Sequence, residues 1–301
     1  MKKVLGRTLT ALLVAGIVWP GFWATRIHHR AQADDAVKRS ATKFVGAGAG
    51  EIRDDNSLKL KLVWIPPGKF TMGSPNNEWG RENWENQVKV TLTQGFWLGQ
   101  HEVTQGEWRR VIETSPWKGK YGVIEGNDYP VTFVSWDDAM KFCEKLTEQE
   151  QSTGRLPSGW QYTLPTEAQW EYACRAGTTT RFSFGNDDLK LSDYAWWGGF
   201  IDQGSAKNQR YAHLVGQKQA NPWGLKDMHG NVWELCRDWH ASALTGGTDP
   251  QGPLQGTHRV VRGGSWGATS NDCRSAVRQG LMPHGRNGNT GFRVAIVPAG
   301  K

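Results

Sequence analysis

Apolar and polar positions alternate from residue 58 onward: Leu58, Leu60, Leu62 and Trp64 share one parity, Lys59, Lys61 and Val63 the other. A period of two is that of a half-buried strand, so a strand opens the domain here. Val88 to Thr93 alternates likewise and leads into Phe96, Trp97 and Leu98. The period then changes. Thr104-Gln-Gly-Glu107 sets a hydroxyl three residues before a carboxylate, a capping box ahead of Trp108 and Val111, and predicts a short helix. Ser135 caps a second helix whose apolar face is Trp136, Ala139, Met140, Cys143 and Leu146. Thr166-Glu-Ala-Gln169, just after Pro165, opens a third that bears Trp170 and Ala173. Beyond Gly177 no helical period persists, and turns alternate with short runs around Val232, Val260 and Phe292 that read as strands. Two or three helices around a small, loop-rich, mostly antiparallel sheet make an α+β fold.

The first 57 residues follow none of these patterns. Lys2, Lys3 and Arg7 precede an apolar run from Leu9 to Ala24, and Ala31-Gln-Ala33 offers a small-x-small cleavage site. Residues 1–33 therefore read as a signal peptide or a membrane anchor, and either places the body outside the cytoplasm, periplasmic or at the cell surface. Residues 34–57 read as a linker, small and charged with Gly46-Ala-Gly-Ala-Gly50, and 58–298 as the folded domain. Charge supports this division. The chain carries +7, but residues 1–53 hold nine Lys/Arg against three acids, leaving the body near neutral. A nucleic-acid role is excluded on that ground.

The chain holds seventeen tryptophans and 37 glycines, and toward the C-terminus such residues recur with polar ones in short blocks. These are Asn221-Pro-Trp-Gly-Leu225, Met228-His-Gly-Asn-Val-Trp-Glu234, Arg259-Val-Val-Arg-Gly-Gly-Ser-Trp266, Cys273-Arg-Ser-Ala-Val-Arg278 and Gly291-Phe-Arg-Val-Ala295. Upstream stand Val63 to Gly73, His101-Glu-Val-Thr-Gln105, Pro130 to Trp136 and Leu164 to Tyr172. In this order, over roughly residues 58 to 298, the blocks resemble the sulfatase-modifying-factor family, which includes the formylglycine-generating enzymes. The resemblance implies a C-type-lectin-like fold in its sulfatase-modifying-factor variant.

It also implies chemistry that this chain supplies only in part. Copper-dependent members of the family use two cysteines just after a Gly-Gly-Ser-aromatic turn, soft thiolates suited to copper(I). Counting forward from Gly263-Gly-Ser-Trp266, Ala268 takes the first cysteine's place and Cys273 the second's. Counting back from Gly291, Cys273 falls on a non-cysteine position. Either way the first thiol is missing, and copper is not expected. Trp233, Ser265 and Cys273 are the catalytic candidates the resemblance leaves. Of the four cysteines, 143, 174, 236 and 273, it pairs Cys174 with Cys273 as a disulfide and leaves Cys143 a small buried hydrophobe. It places Asp227, Gly230, Val232 and Glu234 on a structural calcium site, side-chain oxygens from the outer two and carbonyls from the inner two. The alternative is that Asp227 and Glu234 pair with Arg237 or Arg210.

No metal-protease His pair, nucleophile elbow, phosphate loop or dinucleotide turn occurs in the body, and iron is left open. The missing thiol favours a binding or maturation factor of the cell envelope, with a protein or small-molecule ligand. The alternative is an oxidoreductase of the formylglycine-generating-enzyme type, acting on a sulfatase cysteine or a small-molecule precursor. Membrane contact is expected only through an uncleaved N-terminus.

Overall fold

A computed structural model describes residues 44–299, so the export segment and residues 34–43 of the expected linker lie outside the described residues. Five strands form the first sheet: β1 (Ile52–Arg53), β2 (Leu62–Ile65), β5 (Phe96–Gly99), β12 (Ala295–Pro298) and β6 (Trp160–Thr163), in that order and all antiparallel. The last strand of the chain thus sits between strands from its first half. A second sheet runs β10 (Arg278–Leu281), β9 (Arg259–Arg262), β7 (Trp233–Trp239) and β11 (Thr290–Gly291), its β7–β11 pair parallel. The third holds β3 (Gly68–Met72), β4 (Val88–Leu92) and β8 (Gly247–Thr248). One small sheet was expected; there are three among the described residues. Most of these strands have five residues or fewer, and so short a ladder acquires its identity from a partner distant in sequence.

The helices follow the sequence closely. α1 (Gln105–Ile112), α2 (Trp136–Ser152) and α3 (Glu167–Arg175) begin at Thr104, Ser135 and Thr166, each with a complete capping box. Each box satisfies two backbone N–H groups that the first turn would otherwise leave unpaired. A one-turn α4 (Leu191–Tyr194) follows. α1 and α2 meet through the Trp108 and Phe142 rings, stacked at 5.7 Å, with Phe292 set edge-on to both.

Two expectations change. The domain does not begin at 58. Phe44 is buried against the Trp97 and Trp160 rings, its carbonyl accepts a hydrogen bond from Trp97 Nε1 at 2.8 Å, and β1 pairs with β2. Gly46 belongs to this packing, since a Cβ there would lie 2.3 Å from the Trp64 ring. The strand over Leu58 to Trp64 also starts late, at Leu62. Lys59 takes a left-handed φ of 61°, and Asn56 brackets Leu60 through both its N–H and C=O. Leu58 and Leu60 are buried all the same, so the alternation reported burial rather than the ladder.

With so little regular ladder, buried arginines bind the loops together. Arg262 pairs with Glu171, which also holds Arg175 at 2.8 Å, while Arg278 grips Glu167 and Arg274 grips Glu78 and Glu85. Removing one member of a buried pair strands the other charge, at a cost of about 3–5 kcal/mol. The architecture is a C-type-lectin-like fold.

Candidate functional site

Strand β9 ends in the turn Gly263 to Trp266, where Gly263 and Gly264 take φ of 94° and 77°. A Cβ on Gly264 would lie 2.8 Å from Cys273 Sγ and 2.9 Å from Asp272 O, so only glycine lets the turn approach that cysteine. Cys273 is fully buried with Phe182, Leu191 and Ala195, and Ala268 packs on the same apolar cluster beside Phe184 and Trp197. Burial, reinforced by the Asp272 carboxylate, pushes the Cys273 thiol well above its ordinary range. A second segment lies over the turn. Gly198 N–H donates to Ala268 O and Gly199 N–H to Trp266 O, both at 2.8 Å. Phe200 rests on the Trp266 ring at 4.7 Å with more than half its surface in solvent, next to the exposed Ile201.

Of the three catalytic candidates, the fold joins two. Ser265 is buried in the turn that Gly264 lets pack on the Cys273 sulfur. Trp233, at the start of β7, is half-buried and packs on a different apolar cluster, the one containing Val131 and Phe292. A copper(I) centre needs two accessible thiolates, and this turn offers a methyl group and one deeply buried thiol. The residues do not fit that metal.

The Cys174–Cys273 disulfide expected from the resemblance is absent: all four cysteines are free and buried. His229 stands between the two. Its Nδ1 lies 2.8 Å from Cys273 O, and its Nε2 lies 3.9 Å from Cys174 Sγ. The Ser183 N–H donates to Nε2 at 3.1 Å, so Nε2 is the acceptor and Nδ1 carries the proton toward Cys273 O. Burial lowers the His229 pKa to about 4 and raises the Cys174 thiol to about 12. A serine, a histidine and a cysteine meet here, yet all are sealed and their thiol stays protonated. The arrangement is a polar plug in the core.

Both carboxylates of the expected calcium set are buried. Both Glu234 oxygens are taken: Arg293 Nε donates to Oε2 at 2.5 Å, Arg293 Nη2 to Oε1 at 2.6 Å, and Trp170 Nε1 to Oε2 at 2.8 Å. The partner is neither Arg237 nor Arg210 but an arginine 59 residues downstream. Gly230 is pressed against Trp196, where a Cβ would stand 2.3 Å from the carbonyl, and Val232 packs with Ala206, Ala212 and Trp266. Asp227 sits at φ 60°, a left-handed conformation that a short polar side chain tolerates. Its Oδ2 accepts from Gly216 N–H at 2.6 Å, while Oδ1 has no hydrogen-bond partner. Beside it lies Glu102, fully buried, with both oxygens unpartnered. Glu102 sits within the His101 to Gln105 block, yet no spacing rule points from it to Asp227. An open groove of about 600 Å³ lies elsewhere, between α2 and β6, and none of these residues lines it.

With this geometry in hand, comparison with known proteins places the chain. The fold and the turn around Ser265 define a C-type-lectin-like domain of the sulfatase-modifying type. The chain belongs to the family described as "Sulfatase-modifying factor enzyme 1-like domain", whose model matches residues 49–297. The formylglycine-generating enzyme of Bos taurus is 32% identical over 79% of this chain and 75% of its own. The chaperone protein LppX of Paenibacillus barcinonensis is 27% identical over 83% of this chain and 94% of its own. Among solved structures, Treponema denticola variable protein 1 superposes with a TM-score of 0.69 at 27% identity, covering 81% of this chain and 98% of that one.

Proposed function

We propose that this chain is an exported binding or maturation factor of the cell envelope that works through its loop surface rather than through thiol chemistry. The observation that carries the reading is the pair Ala268 and Cys273. One position is a methyl group, and the other is a sulfur with no exposure and a strongly raised pKa. A thiol in that state is neither nucleophile nor metal ligand. Where a reactive pair would open to solvent, the segment at 198–201 turns Phe200 and Ile201 outward, an apolar tip suited to contact. The likeness to a protein named as a chaperone over nearly its whole length favours maturation over oxidation. The basic, apolar and small-residue leader supports export.

The test is direct. Purified chain is incubated with copper(I) and a Cys-x-Pro-x-Arg peptide, and peptide aldehyde and bound copper are measured. Neither is expected. Stoichiometric copper binding lost in Cys273→Ser, together with aldehyde from the wild type, would restore the oxidase reading. A photo-crosslinking residue at Phe200 is expected to give a discrete adduct in living cells, and one at Ile52, on β1, none. Equal labelling at both would remove the loop surface from the proposal.

A further inference from the structure

Two histidines face each other at the end of the second sheet. Strands β7 and β9 run antiparallel with Trp239 opposite Arg259, and one step further the His240 N–H donates to His258 O at 2.8 Å. Residues directly opposed in such a pair project to the same face, with Cβ atoms about 5 Å apart. Gly280, on β10, shows where the rings go. A Cβ there would lie 3.0 Å from His258 Cβ and 3.5 Å from the Cγ of each imidazole, so the two side chains converge over one point. The third strand adds no side chain at that point. Gly280 and His258 are exposed and His240 is half-buried, so the rings open to solvent.

The ring nitrogens are available. Thr257 Oγ1 lies 2.9 Å from His258 Nδ1, which leaves Nε2 uncommitted, and among the described residues no group hydrogen-bonds the His240 ring. A partner on the second nitrogen is what metal-bound imidazoles carry, since it fixes the tautomer. Local charge also permits a cation. Arg278 Nη1 reaches Ala241 O, next to His240, at 2.7 Å, but Glu167 neutralises its guanidinium through contacts of 2.6 and 2.7 Å.

We propose that His240 and His258 together bind one zinc(II) ion across β7 and β9. Imidazole suits zinc and its first-row neighbours, whereas calcium and magnesium prefer oxygen. Two nitrogens about 2.1 Å from the metal supply half of a tetrahedral shell. Among the described residues no three His, Cys, Asp or Glu side chains gather around an ion, so water fills the other half. The four cysteines are buried and contribute nothing. Bound zinc fastens the two ends of the excursion over residues 241–257, which runs out to the exposed Leu254 and returns. The site involves neither Cys273 nor the loop surface at Phe200, so it stands or falls apart from the proposed function.

The experiment titrates the full chain, free of any histidine tag and stripped with chelator, with zinc in a calorimeter. Cobalt(II) absorbance serves as an independent probe of the ligands. One zinc per chain is expected, and the melting temperature should climb with zinc by mass action on the folded state. His240→Ala and His258→Ala should each weaken binding by more than about tenfold, a scale that even outer-shell partners of a metal reach. Without zinc, His258→Ala should melt with the wild type because its ring is exposed, which separates lost binding from lost fold. A wild type that shows no zinc binding overturns the proposal. So does undiminished binding in His258→Ala, which would put the ion elsewhere. Unchanged affinity at half the stoichiometry in each single variant overturns it too, since that is the mark of two independent imidazoles.

Discussion

Glu234 on β7 and Arg293, just before β12, form a two-point ion pair with no exposure on either side, at 2.5 and 2.6 Å. The same guanidinium reaches Gly99 O, Gln100 O and Lys226 O, so one side chain ties the second sheet to β5 and to the Asp227 loop. The planar fork of arginine suits this, and a lysine ammonium would serve only part of it. Glu234→Gln and Arg293→Met are each expected to lower stability by about 3–5 kcal/mol, because either leaves the other group buried alone. Arg293→Lys should fall between these and wild type. Denaturant unfolding of the variants checks this, and a loss no larger than that of an exposed pair such as Arg53–Asp55 would refute it.

The four thiols should be silent in the native chain and all present after unfolding. Each is fully buried, and burial raises every one of their pKa values. Ellman's reagent is expected to report no thiol in buffer and four per chain in denaturant. A count of two would establish a disulfide. Cys273→Ser puts a hydroxyl into the Phe182–Leu191–Ala195 cluster and should cost about 1–3 kcal/mol.

Asp238 gives the stability a pH dependence of unusual sign for a carboxyl. Burial, reinforced by the Glu167 carboxylate, raises its pKa from 3.8 to about 7, while its Oδ2 accepts from Glu167 N–H at 2.9 Å. Between these values the folded state binds the proton and the unfolded state does not. Its contribution is therefore full below 3.8 and fades as pH rises toward about 7. Asp238→Asn should match the wild type at low pH and gain stability over it as pH approaches 8. Parallel melting curves across that range would count against the assignment.

Gly264 is expected to tolerate no side chain. Gly264→Ala meets both the Cys273 sulfur and the Asp272 carbonyl and forces an L-residue to a φ of 77°. A loss of about 1–3 kcal/mol or more follows from the overpacking alone. Cys273→Ala in the same chain should recover part of it by removing the sulfur, and the backbone strain should remain. Full recovery would show that the turn's conformation costs nothing.

The leader makes a prediction independent of the fold. The mature N-terminus is expected at Asp34, or else the intact chain stays membrane-attached with its body outside. Among the described residues no helix is long and apolar enough to cross a membrane. Recovery of the intact chain as soluble cytoplasmic protein defeats the export proposal.

The three capped helices, the C-type-lectin-like family fold and the loss of one thiol at Ala268 were legible in the sequence. Each is a local fact: a capping box spans four residues, and a block of Gly and Trp keeps its meaning wherever it lies. What the tertiary structure decided depends on partners far apart. Gly46 to Gly50 read as a linker because composition does not show that Phe44 docks on Trp97 and Trp160. The resemblance paired Cys174 with Cys273, and only the folded chain shows His229 between them. Glu234 read as a calcium ligand or as a partner of Arg237 or Arg210, and its pairing with Arg293 appears only once the chain has folded. A buried charge is defined by what neutralises it, and in a fold this poor in regular ladder those partners come from the other end of the chain.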